Sequence, residues 1–261
     1  MMGFLRELVV DNLKVKIFET RQELGRKMAA EVADEMRELL NKKDEIRMVF
    51  AAAPSQNEFL ASLVNEPGID WRKVTAFHMD EYLGLPEDSK ERFSYFLKEK
   101  IFSKLPFKAV HYLQPTDDSP QEECERYSKI YMDRPIDIIC MGIGENGHIA
   151  FNDPPVADFN DEQYFKIVQL DETCRLQQVF DKCFDTLDQV PQKAITLTIP
   201  GFMGAGSLFC GVPGHRKAEA IKRALNDSIS PSCPATILRR HPKAVLYLDQ
   251  ESAALVFKEK V

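Results

Sequence analysis

Short apolar runs alternate with amphipathic helical stretches along this chain, and few architectures accommodate that alternation. LKVKIF (Leu13–Phe18), EIRMVFAAA (Glu45–Ala53), VTAFH (Val74–His78), IDIICMGI (Ile136–Ile143), FKIVQL (Phe165–Leu170), AITLTI (Ala194–Ile199), SLFCGV (Ser207–Val212) and AVLYLD (Ala244–Asp249) read as buried strands. Helical spacing of apolar residues occupies 20–41, about 56–64, 91–102, 121–132, 173–184 and 215–225. The first of these opens on Thr20 with Glu23 three residues on, a capping box. Strands and helices in alternation imply an α/β fold, a mainly parallel sheet with helices on both faces. No repeat, low-complexity stretch or linker interrupts it, so residues 1–261 are expected to form a single domain.

The formal net charge of −7 argues against a nucleic-acid partner, because that affinity comes from Lys and Arg neutralising phosphates. No run of about 18 apolar residues predicts a membrane span, and the charged N-terminal stretch lacks the apolar core of a signal peptide. The six cysteines are scattered without a CxxC pair, which reads as reduced, mostly buried thiols in a cytoplasmic protein. No HExxH or paired Cys cluster provides metal-ligand spacing, so no metal is expected.

In open α/β sheets, ligands bind beyond the C-terminal ends of the strands. Three such ends carry chemistry: AAAPSQNE (Ala51–Glu58), HMDEYLGLP (His78–Pro86) and GIGENGHIAFNDPP (Gly142–Pro155). The glycines of the third, Gly142, Gly144 and Gly147, have the spacing of a dinucleotide-binding loop. That loop needs a helix directly after its last glycine, to offer N–H groups to the pyrophosphate. Pro154 and Pro155 would break such a helix in its second turn, so a nicotinamide or flavin enzyme is disfavoured. The glycines instead turn the chain tightly, with Gly144 and Gly147 close to a ligand and Glu145, Asn146, His148 and Asp153 presented to a cleft. Asp153 lies near enough in sequence to orient the imidazole. The alternative is a solvated loop with a surface histidine.

Asp80 and Glu81 follow the strand at 74–78 directly. Adjacent carboxylates cannot both be comfortably ionised if both are buried. An aspartate there is commonly a cap or turn residue; at the ligand edge of a sheet it is also a candidate general base, with Met79 and Tyr82 as an apolar flank. A carboxylate and a histidine at strand ends of one sheet fit proton transfer beside a carbonyl. No GxSxG nucleophile context is present.

At these residues the chain resembles the glucosamine-6-phosphate deaminase/isomerase family and, through it, the 6-phosphogluconolactonases. MDEYLGLP (Met79–Pro86), GIGENGHIAFNDP (Gly142–Pro154) and HPKAVLYLD (His241–Asp249) carry the likeness, in matching order over nearly the whole chain. The resemblance implies a Rossmann-like fold without a nucleotide or other cofactor. It implies conversion of an amino-sugar 6-phosphate to a ketose 6-phosphate with loss of ammonia. It places Asp80 on the base that moves the sugar C2 proton, His148 on the ring-opening acid and Lys217 on the phosphate-binding lysine. Asn146 stands where the family has aspartate, Asp153 where it has glutamate, and AAAPS (Ala51–Ser55) replaces a glycine-rich phosphate turn. Ala52 and Ala53 are expected to offer backbone N–H groups to an anion, Ser55 and Gln56 their side chains, and Glu81 a further ligand contact. Glu145 is expected to supply the negative charge that Asn146 lacks. Val179 replaces a phosphate-holding arginine, with Arg175 nearby. The expected partner is a small sugar phosphate, and a homo-oligomer is compatible with the sequence. A lactone hydrolase, another sugar-phosphate isomerase and a non-catalytic sugar-phosphate sensor stay open as alternatives.

Overall fold

The computed structural model describes residues 4–115 and 118–257. An antiparallel hairpin, β1 (Phe4–Val10) and β2 (Leu13–Phe18), leads to helix α1 (Arg21–Leu40), whose Thr20 hydroxyl accepts the Glu23 N–H at 3.2 Å as the capping pattern requires. β3 (Ile46–Phe50), a 3₁₀ turn at Pro54–Gln56 and α2 (Asn57–Leu63) follow. Next come β4 (Val74–His78), β5 (Asp80–Tyr82), α3 (Phe93–Leu97) with its π-turn continuation Lys98–Phe102, β6 (Ala109–His111) and α4 (Pro120–Met132). The second half contributes β7 (Ile138–Met141), β8 (Phe165–Gln169), α5 (Glu172–Phe180), β9 (Lys193–Leu197) and α6 (Ile199–Met203). β10 (Ser207–Val212), α7 (Ala218–Asn226) and β11 (Ala244–Asp249) complete the described elements.

Eight strands form one sheet in the order β1-β2-β11-β10-β7-β3-β4-β6, parallel from β2 to β6. Side chains alternate across it with the period-2 geometry of a strand. Val49, Phe77, Ile139, Met141, Leu208, Cys210, Leu246 and Leu248 face one core, with Tyr127 and Tyr131 of α4, Phe202 of α6 and Ile221 of α7. Met48, Phe50, Ala76, Ile138, Cys140, Phe209 and Tyr247 face the other, with Leu24 and Met28 of α1 and Phe59 of α2. The apolar runs are continuous because both faces are covered. From β3 the chain moves outward to β4 and β6; β7 beside it leads instead to β10 and β11. The sheet therefore changes direction between β3 and β7, the switch point where such folds leave a crevice.

Two strands expected in the main sheet lie elsewhere. β8 and β9 pair antiparallel, and β5 joins them in a separate three-stranded sheet ordered β5-β9-β8. Periodicity reports burial, not partners, and these runs are as apolar as the central ones. β1 was also unexpected. It is an edge strand with Leu5, Arg6, Glu7 and Val9 exposed, so it carries no buried run to read. Among the described residues no helix is long and apolar enough to cross a membrane. The six cysteines are unpaired, with only Cys183 less than fully buried.

Candidate active site

A narrow cleft with a cavity volume of about 60 Å³ opens at the switch point, where open α/β sheets take their ligands. It is lined from the ends of β3 (Ala51–Ala53, Ser55, Gln56), β4 (Met79, Asp80) and β7 (Gly142–Gly144, His148), and by Lys217 beyond β10. Asp80 and His148, far apart in sequence, thus share one cavity.

β9 holds them in relation to each other. Asp80 pairs with Thr196 in the β5–β9 ladder. The histidine loop is tied to the same strand: the Phe151 N–H donates to Thr196 Oγ1 at 3.0 Å, and Asn152 Nδ2 donates to the Leu197 carbonyl at 2.7 Å. His78 fixes the Asp80 backbone from below. Its Nε2 accepts the Leu113 N–H at 2.8 Å, so its Nδ1 carries the proton and donates to the Asp80 carbonyl at 2.9 Å. Burial pushes the His78 pKa down to about 4, keeping it neutral in this structural role.

Asp80 is 6% exposed. Burial first, and the Glu81 charge second, push its carboxyl well above the ordinary 3.8. Glu81 does not face the cleft. Its carboxylate turns away to accept the N–H groups of Phe93 (3.0 Å) and Ser94 (2.9 Å), capping α3. The expected ligand contact is replaced by a helix cap, because the start of α3 leaves N–H groups that need an acceptor. The adjacent carboxylates are thereby separated into one paired and one facing the cavity.

His148 is held at Nδ1. The backbone N–H of His148 donates to Asn146 Oδ1 at 3.0 Å, which fixes the amide orientation. Nδ1 then lies 2.8 Å from the same oxygen and 2.9 Å from Asp153 Oδ1, so it bears the proton and Nε2 is left to a ligand. Asn146 Nδ2 completes the unit by donating to Asp153 Oδ1 at 2.9 Å. Burial works to raise the Asp153 pKa, but the His148 and Asn146 bonds and the Asp171 amide outweigh it and hold the carboxyl below its ordinary value. Asn146 therefore serves as a bridge between imidazole and Asp153, a role that needs its amide N–H and that an ionised aspartate cannot fill.

Glu145 is not part of this unit. Arg216 takes both its oxygens, at 2.6 and 3.0 Å, and its backbone N–H donates to Gln177 Oε1. The expectation that it charges the imidazole is corrected: the guanidinium of Arg216, the residue before Lys217, claims the carboxylate. Gly144 supports the imidazole by close approach, since a Cβ there would lie 2.0 Å from the His148 ring. Gly147 does not line the cleft. It adopts φ +87°, and a Cβ would meet Cys233 Sγ at 2.6 Å, so its role is to turn the loop and pack it. The turn that follows passes through Ala150 at φ +50° and leads to β8, so no helix stands behind the glycines.

Lys217 ends a 3₁₀ turn, His215–Lys217, before α7. It is 7% exposed, and among the described residues no carboxylate lies within ion-pair distance of it. Burial lowers its pKa, offset in part by Asp181 and Glu145 at longer range. It is the one Lys or Arg among the described residues lining the cleft. Ala52, Ala53 and Ser55 line the same cleft; Gln56 does too, but its amide is committed to the Gly211 carbonyl at 3.2 Å. Arg175 is elsewhere: it donates to the carbonyls of Leu187 and Val190 and pins the loop after α5. Gln177 and Gln178 of α5 line the cleft without having been anticipated. Their only signal was a pair of amides buried on an amphipathic helix. His241 of the third likeness segment is structural, bonding the Ala205 carbonyl at 3.0 Å before β11 starts.

A profile of the glucosamine-6-phosphate isomerases/6-phosphogluconolactonase family matches residues 19–247. Glucosamine-6-phosphate deaminase of Bacillus cytotoxicus is 40% identical over 187 residues, 72% of this chain and 70% of the relative. The Bacillus thuringiensis (strain Al Hakam) enzyme of that name is 38% identical over an equal span, with the same coverage of each chain. A solved monomeric glucosamine-6-phosphate deaminase superposes with a TM-score of 0.85 at 26% identity, covering 92% of this chain and 99% of that one. Thermotoga maritima 6-phosphogluconolactonase shares the fold, with a TM-score of 0.72 at 20% identity over 90% and 98% of the two chains.

Proposed function

The chain belongs to the glucosamine-6-phosphate isomerase/6-phosphogluconolactonase family, and we propose that within it this enzyme is an amino-sugar-phosphate deaminase/isomerase. One observation carries the reading: a buried carboxylate, an imidazole with a fixed tautomer and a lone ammonium line a single cleft. Lys217, with Ser55 and the backbone at Ala52 and Ala53, holds the phosphate. His148 Nε2 exchanges a proton with the ring oxygen and opens the pyranose, while Asp153 and Asn146 keep the other nitrogen protonated. Asp80 takes the C2 proton and returns it at C1. The resulting imine at C2 adds water and releases ammonia, leaving the ketose phosphate. The raised Asp80 pKa makes it a stronger base than an exposed aspartate. The likeness of the 148–153 loop to the deaminases favours this reaction over lactone hydrolysis.

Incubation with glucosamine 6-phosphate and galactosamine 6-phosphate tests the proposal, with ammonia and ketose phosphate assayed together. Both products in equal amounts are expected from one of these sugars. Ketose phosphate formed instead from an aldose 6-phosphate without an amino group points to an isomerase, and no product from either amino sugar with folded protein removes the deaminase reading. Lys217→Met is expected to raise KM by about 10–100-fold, the loss of a charge-assisted contact of ~1.5–3 kcal/mol, with a smaller change in kcat. Inorganic phosphate should inhibit the parent enzyme competitively and the variant far more weakly. A variant with unchanged KM takes Lys217 out of the phosphate site.

A further inference from the structure

We infer that Cys174, Asp153 and His148 form a site for a thiophilic divalent cation of the Zn²⁺ class, whose occupancy silences the cleft. His148 and Asp153 share the loop after β7, whereas Cys174 comes from α5, which is why spacing did not reveal the set. Their ligand atoms all lie within 4.8 Å of one another. All three residues are buried, with exposures of 1% for Cys174, 0% for Asp153 and 8% for His148. Closing on a tetrahedral ion with ligand bonds of ~2.0–2.3 Å needs a contraction of only about 1 Å.

The donor set selects the ion. A sulfur, a ring nitrogen and a carboxylate oxygen suit Zn²⁺ or Cd²⁺, whereas Mg²⁺ and Ca²⁺ take oxygen ligands. The surroundings favour a cation as well. The charges of Asp153, Asp80 and Asp171 make the surroundings of Cys174 negative, offset in part by Lys217. Thiolate and carboxylate together neutralise a dication, so no net charge is buried. Cys174 sits in the first turn of α5, next to its N-cap Asp171, whose backbone N–H donates to Asp153 Oδ2 at 3.3 Å. Helix and carboxylate are therefore joined before any ion arrives. His148 borders the cleft, which leaves the fourth coordination position to water.

The consequence is inhibition. An ion on His148 Nδ1 displaces its proton and ends the bond to Asp153 that fixes the tautomer. An imidazole held by metal no longer cycles a proton at Nε2 as required for ring opening. The site thus competes with the chemistry of its neighbour.

Titration of chelator-treated full-length protein with Cd²⁺, without any sugar, tests the inference independently of the substrate assignment. The ultraviolet thiolate-to-cadmium charge-transfer band reports sulfur ligation directly. One equivalent is expected to bind with this band, and Cys174→Ala to lose the band and weaken binding at least tenfold. Cys174→Ser, closer in volume, replaces the alanine variant if that one does not fold. Where turnover is measurable, Zn²⁺ should lower it reversibly on adding EDTA, and at least tenfold more Zn²⁺ should be needed for the Cys174 variant. No band in the parent protein, or an undiminished band in a folded Cys174 variant, overturns the site.

Discussion

Asp80→Asn is expected to lower turnover by about 10²–10⁴-fold and, at neutral pH, to raise the melting temperature. Both effects have one cause. The carboxylate is buried at the cavity wall, and burial with the adjacent Glu81 charge holds its pKa well above 3.8. An amide of the same shape cannot accept the C2 proton, so the chemistry stops while the sugar still binds. It also has no charge to bury. The sign follows from linkage. Below the ordinary aspartate value both folded and unfolded chains are protonated, and the parent protein bears no penalty. As pH rises through 3.8 the unfolded chain ionises first, and the parent loses stability until pH passes the folded-state value. The advantage of the variant is therefore small in acid, grows with pH and levels off. Relieving an active-site carboxylate of this kind is worth on the order of 0.5–2 kcal/mol, at about 2–4 °C per kcal/mol for a chain of this size. Melting curves across pH read it directly. In the parent, kcat/KM should fall on acidification through a pKa above that of an exposed aspartate. A variant that retains turnover removes Asp80 from proton transfer; one with no pH-dependent gain in melting temperature removes the claim that its charge is uncompensated.

His148→Gln is expected to reduce turnover of a pyranose substrate by about 10²–10⁴-fold. It should cost less than about tenfold with an analogue lacking the ring-forming hydroxyl, because that sugar is already open and needs no proton at the ring oxygen. Steady-state kinetics on the two sugars give the ratio. Glutamine can still face Asn146 and Asp153 through its amide, so the loop keeps its shape and the comparison isolates the proton. Equal losses on both sugars contradict a ring-opening role and move His148 to binding or to the C2 chemistry.

The strand–helix alternation made the main sheet legible, because strands covered on both faces leave continuous apolar runs. Val74–His78, Ser207–Val212 and Ala244–Asp249 emerge with the expected ends. The small sheet was not legible. β8 and β9 look like central strands in composition, and β5 is only three residues long, so nothing local announces that Asp80 lies on a strand held by Thr196. Placing Asp80 and His148 at strand ends was enough to bring them to one cavity, since the crevice of this fold is fixed by strand direction; Lys217 was reached only through the family resemblance. Assigning partners to charges was harder. Glu81 and Glu145 were read by proximity in sequence, yet one answers the N–H groups of α3 and the other the Arg216 guanidinium. Those acceptors were needed by groups 12 and 71 residues away, beyond the reach of spacing. Gln178 and Cys174 escaped for the same reason: α5 reaches the cleft through tertiary packing alone.

The fate of a deuterium label at C2 of the amino-sugar phosphate tests the central claim most directly. Parent protein should remove the label from C2, to C1 or to solvent, and Asp80→Asn protein that binds the same sugar should leave it in place. A label untouched by parent protein that binds the sugar, or removed equally by both proteins, contradicts the account.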